Sequence, residues 1–367
     1  MTTSSLDRDV AGLLCVGFHG DRPSQEVLEL IRRGVRGVIL FSRNLVDAEQ
    51  VAGLTGALKR EAGRPLLVSI DQEGGRVARL RARHGFTELP PMRRLGEADD
   101  ERLAFDAGAL VGRELRSVGI DLDYAPVVDV DTNPLNPVIG DRSLSHQPER
   151  VGRLGAALAR GLQSAGVAAC AKHFPGHGDT SQDSHLTLPR LPHSLDRLKA
   201  VELPPFTALA RAGVAAVMTA HVVIESLDRL RPATLSPAVL RLLRETCGFD
   251  GACISDDLEM KGISQHVPLE VAAPGAVAAG VDQLLVCHTA TVQHRTIDLV
   301  RAAVESGRIS RARLAEATAR VEGLLRWAGP PPDPRAARAS LRTRQHLALA
   351  EALGGPGAGR DPTSGSG

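Results

Sequence analysis

The sequence predicts an α/β fold, a (β/α)8 TIM-like barrel forming a single domain with a flexible C-terminal tail. Three observations lead there. Eight short apolar runs are spread along the chain, hydrophobic almost without interruption, as strands covered on both faces must be. Longer amphipathic stretches separate them, the alternation of a parallel sheet wrapped by helices. No GxGxxG follows an early strand, which leaves an open Rossmann sheet as the second choice.

In order, the strand runs are GLLCVGF (12–18), GVRGVILF (34–41), PLLVSID (65–71), IDLDYAPVVDV (120–130), VAACAKHF (167–174), AVMTAH (216–221), GACISDD (251–257) and VDQLLVC (281–287). Helical periods fall between them at 24–34, 47–63, 101–119, 147–166, 194–213 and 236–248. SRARLAEATARVEGLLRWAG (310–329) is the last clear helix. The barrel domain is therefore expected over 1–329. Residues 330–367, rich in Pro, Gly, Arg and Ala, read as a partly disordered tail with one helix around 334–353 and no catalytic role.

Composition narrows the function classes. Apolar residues make up 43% of the 367 and charged residues 24%, with a formal net charge of +1, so no nucleic acid or other polyanion is implied as partner. Four lysines (Lys59, Lys172, Lys199, Lys261) stand among forty arginines, which draws attention to a lysine inside a dense motif. Cys15, Cys170, Cys247, Cys253 and Cys287 are odd in number and widely spaced, suggesting neither a disulfide framework nor structural zinc. The N-terminus lacks a basic region before its short apolar stretch, and no eighteen-residue apolar run occurs. A cytoplasmic location without membrane attachment is the expectation.

In a parallel barrel, chemistry belongs to the C-terminal ends of strands. Here these ends are polar on five strands: Asp71, then Asp129 and Asp131, then Lys172 and His173, then His221, then Asp256 and Asp257. Taken singly, an aspartate after a strand is also a good turn former or helix cap. Together they predict a polar pocket suited to a polyhydroxylated ligand.

The loop KHFPGHGDTSQDSH (172–185) overhangs that pocket. A metal would need three or four converging ligands, and His173, His177 and His185 with Asp179 or Asp183 could supply them, but their spacing matches neither HExxH nor another familiar metal pattern. Proton transfer needs only one imidazole, titrating near ~6.5, and a carboxylate to orient it. Asp183 and His185 are placed for that, while Thr180, Ser181 and Gln182 suit a loop bonding its own backbone.

KHFPGHGDTSQDSH, DQEGGRVARL (71–80), NPVIGDRS (136–143), MTAHV (218–222), RPATLSP (231–237) and ISDDLEM (254–260) together resemble the bacterial β-N-acetylglucosaminidases of glycoside hydrolase family 3, in order over roughly residues 10–328. The resemblance implies hydrolysis of terminal β-linked N-acetylglucosamine with retention, through a covalent glycosyl-enzyme and without a cofactor or metal. It implies Asp256 as nucleophile, His185 as acid/base and Asp183 as its partner. Asp71, Arg79, Arg142, Lys172 and His173 would bind the sugar. Lys172 and His173, adjacent in a strand, are expected to point alternately, so that one faces the ring. FPGHGDT reads as a bend that can move, so His185 would act when the loop closes. Other members take their acid/base from a second domain, for which this chain has no residues left.

The implied partner is a small glycan containing N-acetylglucosamine. N-acetylglucosaminyl-anhydro-N-acetylmuramic acid from peptidoglycan recycling and cell-wall turnover is the leading candidate, with chitobiose and glycoprotein fragments still open. Phosphorolysis through the same intermediate is the nearest alternative, because a histidine acting as base carries no negative charge to repel phosphate. A metal-dependent hydrolase and a non-catalytic glycan-binding barrel are the remaining readings.

Overall fold

Buried on both faces, the eight apolar runs pair only in parallel. A computed structural model describes residues 5–181, 188–355 and Asp361. Asp183 and His185 lie outside the described residues. The strands are Leu14–Val16 (β1), Gly37–Leu40 (β2), Leu67–Ile70 (β3), Leu122–Asp123 (β4), Ala168–Phe174 (β5), Ala216–Thr219 (β6), Ala252–Ile254 (β7) and Leu284–Val286 (β8). They form one sheet in the order β7-β6-β5-β4-β3-β2-β1-β8. A parallel bridge between Ile254 and Gln283 joins the two outer strands and closes the barrel. Closure satisfies the edge groups that an open sheet would expose.

Helices Gln25–Arg33 (α1), Ala48–Ala62 (α2), Glu101–Ser117 (α3), Pro148–Ser164 (α4), Leu203–Arg211 (α5), Pro237–Arg241 (α6), Leu269–Ala279 (α7) and Ala290–Glu305 (α8) follow the strands in turn. Their starts are written in the sequence. Ser24 accepts from Val27 N, Asp47 from Gln50 N, and Asp100 from Arg102 N and Leu103 N, each using an otherwise unpaired first-turn donor. Helices α3 and α4 pack closely because glycines meet backbone: a Cβ on Gly108 would lie 2.2 Å from Leu158 O, and one on Gly161 2.1 Å from Phe105 O.

Two elements differ from the sequence reading. The helical period at 194–213 is broken into Leu195–Arg197, a π-helical turn over Leu198–Glu202, and α5. Pro204 and Pro205 lack an N–H and fit only the first turn of a new helix. Within 120–130 only Leu122–Asp123 joins the ladder; beyond Pro126 one isolated bridge, Val127 to Lys172, continues it.

Beyond the helix Arg311–Leu325, the chain crosses the floor of the barrel and climbs its side. Gly329 N donates to Asp121 Oδ1 at 2.8 Å. Farther on, the helix Arg344–Ala352 is held by His346, whose Nδ1 lies 2.9 Å from buried Glu114 Oε1 of α3. The same carboxylate accepts from Arg342 N, Thr87 N and the Thr87 hydroxyl. Residues 330–355 are thus tied to the barrel wall beside the segment that follows β3. Among the described residues no helix is long and apolar enough to cross a membrane.

Candidate active site

Directly after β3 the chain turns back on itself in a small hairpin, Gln72–Gly74 with Val77–Ala78. Gln72 locks it: its Oε1 accepts from Arg79 N and Leu80 N, and its Nε2 donates to Leu80 O. Gly75 has φ 55°, and a Cβ there would lie 2.7 Å from Pro91 Cα, so the second glycine of DQEGG is required by both conformation and space. The hairpin thereby brings Asp71, Glu73 and Arg79 to the C-terminal mouth of the barrel.

These three join a chain of charges. Lys172 Nζ, at the end of β5, lies 2.7 Å from Asp71 Oδ1 and 2.6 Å from Glu73 Oε1. Arg142 grips Glu73 with both fork arms at 2.8 and 2.9 Å, while Arg79 Nη2 reaches Asp71 Oδ2 at 3.3 Å. Burial alone would push Asp71 and Glu73 toward neutrality. The neighbouring Lys172 with Arg79, and Arg142 with Lys172, outweigh it and hold both carboxyls below their ordinary range. Burial likewise opposes the charge of Lys172, but Asp71 and Glu73 prevail and raise it.

Imidazoles occupy the next sector. His173 Nδ1 is 2.7 Å from Asp129 Oδ2, and Asp129 Oδ1 accepts from His173 N and His177 N. His177 Nδ1 meets the Thr180 hydroxyl at 2.7 Å. Burial, then the neighbouring His173, push His177 down to about 4, so it is neutral over most of the pH scale. Asn136 Nδ2 donates to His177 O and Gly178 O, and Asn133 Nδ2 to Thr180 O. A Cβ on Gly178 would stand 1.8 Å from Val130 O. The bend FPGHGDT is therefore packed and tied down, contrary to the movable bend expected; its glycines serve close approach, not motion.

Opposite this sector, Asp256 and Asp257 follow the end of β7. Asp257 is engaged structurally: Oδ1 accepts from Glu259 N and Cys287 N, and Oδ2 lies 3.1 Å from His288 Nε2. Among the described residues, Asp256 receives one hydrogen bond, from Asp257 N at 2.8 Å, and its half-buried side chain faces the pocket. His221 Nε2, 3.0 Å from Asp257 O, and Thr234 on its other nitrogen brace this strand end from behind. Asp71, Arg79, Arg142, Lys172, His173, Asp256 and apolar Phe41, Met218 and Met260 line one pocket. It offers carboxylates, a guanidinium and an ammonium to hydroxyls, and apolar surface to a ring face.

The Glycosyl hydrolase family 3 N terminal domain matches residues 5–324. The chain belongs to this family. It is 41% identical over 286 residues to a protein of Bordetella parapertussis named Beta-hexosaminidase, covering 76% of this chain and 80% of that protein. Among solved structures it is similar to a glycoside hydrolase family 3 β-N-acetylglucosaminidase from Paenibacillus sp. str. FPU-7 (TM-score 0.88, 42% identity, 95% of this chain and 68% of that one). It is also similar to NagZ from Neisseria gonorrhoeae in complex with N-trifluoroacetyl-D-glucosamine (TM-score 0.76, 35% identity, 93% of this chain and 97% of that one). The protein is accordingly a glycoside hydrolase built on a TIM barrel.

Within this family 3 barrel, the fold brings together the residues expected from the sequence on the described part of the chain: Asp71, Arg79, Arg142, Lys172, His173 and Asp256. Lys172 and His173 both line the pocket, where strand alternation predicted one. The β5–β6 register shifts between Ala171 and Phe174, so alternation fails there. Asp129 stands behind the imidazoles and His221 behind Asp257. Asp131 pairs with Arg93 and is a structural residue. Sequence reasoning passed over Glu73, the most connected carboxylate of the cluster. Its signal was its place two residues after Asp71 in an extended hairpin, which puts both on one face.

Proposed function

We propose that this glycoside hydrolase is a retaining β-N-acetylglucosaminidase, with Asp256 as nucleophile and His185, oriented by Asp183, as acid/base. The observation that carries the proposal is Asp256. It sits on a rigid strand end with Asp257 N on one oxygen, in a pocket whose other wall is the Asp71, Arg79, Lys172 and Arg142 cluster. Its neighbour Asp257 is occupied by backbone donors and His288, which leaves Asp256 to attack an anomeric carbon.

A retaining reaction needs a carboxylate on one side of the sugar and a proton source on the other. Asp256 forms the glycosyl bond as the aglycone leaves with a proton from His185; water, giving its proton back to His185, then displaces Asp256. Asp71 accepts from sugar hydroxyls, while Arg79, Arg142, Lys172 and His173 supply donors around it. The relatives' names, Beta-hexosaminidase and β-N-acetylglucosaminidase, support N-acetylglucosamine as the sugar. Peptidoglycan-derived disaccharides in the cytoplasm are the proposed source.

Product analysis in phosphate-free buffer, on N-acetylglucosaminyl-anhydro-N-acetylmuramic acid set against chitobiose, tests the reading. Free N-acetylglucosamine from the first at the higher kcat/KM is the expected result. N-acetylglucosamine 1-phosphate appearing only on addition of phosphate would replace hydrolysis by phosphorolysis.

A further inference from the structure

Where β3 and β4 end, three carboxyl groups share a neighbourhood and two of them have cations. Asp71 is paired with Lys172 and Arg79, and Glu73 with Lys172 and Arg142. The third is Asp123, the last residue of β4, which stands in register with Ile70, one residue before Asp71. Its side chain is fully buried. Oδ1 accepts from Gln72 N at 2.9 Å, and Oδ2 has no hydrogen-bond partner among the described residues. The small pocket that Asp123 shares with Gln72 and Glu73 is otherwise lined by apolar residues, among them Leu89, Met92, Val127 and Leu158.

An ionised carboxylate in this place would sit in a dry interior with one neutral donor and with Asp71 and Glu73 repelling it. Lys172, whose charge would favour it, is committed to those two carboxylates at 2.7 and 2.6 Å. Burial pushes Asp123 well above the ordinary carboxyl range and its two acidic neighbours add to the push, against which the Gln72 donor and Lys172 do not suffice. The Gln72 amide it holds lies between Asp71 and Glu73 in the chain. An acceptor is needed there, and a further negative charge would divide Lys172 among three carboxylates.

We propose that Asp123 is a positioning residue of the sugar pocket that works as a neutral carboxylic acid, holding Gln72 N, and with it the carboxylates on either side, without drawing on the charge of Lys172. The test combines infrared spectra with kinetics on p-nitrophenyl β-N-acetylglucosaminide, for wild type, Asp123→Asn, Asp123→Ala and Asp71→Asn. The difference spectrum of wild type minus Asp123→Asn at neutral pH should contain the C=O stretch of a carboxylic acid, shifting in deuterated water. Carboxylate bands in its place overturn the proposal. Asparagine keeps an acceptor for Gln72 N without a charge, so Asp123→Asn should retain a kcat/KM about tenfold or more above that of Asp123→Ala, which leaves the amide buried and unpaired. At Asp71, where the charge is used, the same change to asparagine should cost about tenfold or more. Asp123→Asn falling as far as Asp123→Ala or Asp71→Asn overturns the proposal too. Should Asp123→Ala not fold, the comparison with Asp71→Asn and the infrared band decide. The kinetic arm rests on the N-acetylglucosaminidase reading above: wild type failing to cleave the glucosaminide would sink that reading, while the spectra would still decide the state of Asp123.

Discussion

The two ends of the barrel each bury a lysine against an aspartate, and the two pairs behave oppositely. At the floor, Lys59 Nζ lies 2.8 Å from Asp121 Oδ1; at the mouth, Lys172 Nζ lies 2.7 Å from Asp71 Oδ1. Burial wins at the floor: it lowers Lys59 against the pull of Asp121, and raises Asp121 against the pull of Lys59. Burial loses at the mouth, where Lys172 meets two carboxylates, Asp71 and Glu73, against the one, Asp121, that Lys59 meets at the floor. The floor pair is sealed by backbone, with Gly329 O on Lys59 and Gly329 N on Asp121. The mouth pair opens on the pocket. A buried ion pair alone does not mark a site; a surplus of charged partners beside open volume does.

The largest expected effect separates two aspartates at opposite ends. Asp256→Ala should cut kcat by roughly 10³-fold or more while N-acetylglucosamine still binds, as removal of a covalent nucleophile does elsewhere. At the floor, Asp282 holds Arg244, Arg313 and Cys253 N at 2.8, 2.6 and 2.9 Å. Asp282→Ala should lower stability by about 3–5 kcal/mol and leave kcat/KM per folded molecule within about twofold. Denaturant titration and active-site-normalised kinetics measure both; the reverse pattern would overturn the division of the barrel into a working and a structural end.

Next comes the lysine pair. Lys172→Met leaves Asp71 and Glu73 without their shared cation, so kcat/KM should fall by roughly 10²-fold and stability by about 3 kcal/mol. Lys59→Met should cost about 1–3 kcal/mol and no activity, since Asp121 keeps Arg116, Gly329 N and Val68 N as donors. Equal losses of activity in the two variants would erase the contrast between mouth and floor.

The contrast also shows what the sequence could and could not disclose. All eight strands were readable because a parallel barrel buries both faces and leaves unbroken apolar runs. Asp71, Lys172, His173 and Asp256 were readable because strand ends point at one mouth. Glu73 was not, since its role depends on Arg142 and Lys172, which are distant in sequence. Gly176 and Gly178 suggested a hinge, but a glycine needed for close approach looks the same in sequence as one needed for motion. The low-complexity composition after residue 330 concealed the anchor of His346 on Glu114.

The smallest expected effect concerns His177 at the mouth. Its neighbours are His173, with ring centroids 5.9 Å apart, Asp129 and Arg142, and its own Nδ1 is on Thr180. Folded, it takes a proton only near pH 4; unfolded, near ~6.5. Between those values the unfolded chain binds the extra proton, so the contribution of His177 to stability falls as pH falls through that window, by up to about 3 kcal/mol. Asp71, Glu73 and Asp129 are held below their ordinary range, so their contributions persist down to about pH 4 and fail only in stronger acid. His177→Gln can keep the Thr180 contact while removing the titration. Its Tm should therefore vary less with pH from 6.5 to 4.5 than that of wild type, and parallel curves would show that His177 is protonated as easily in the fold as outside it.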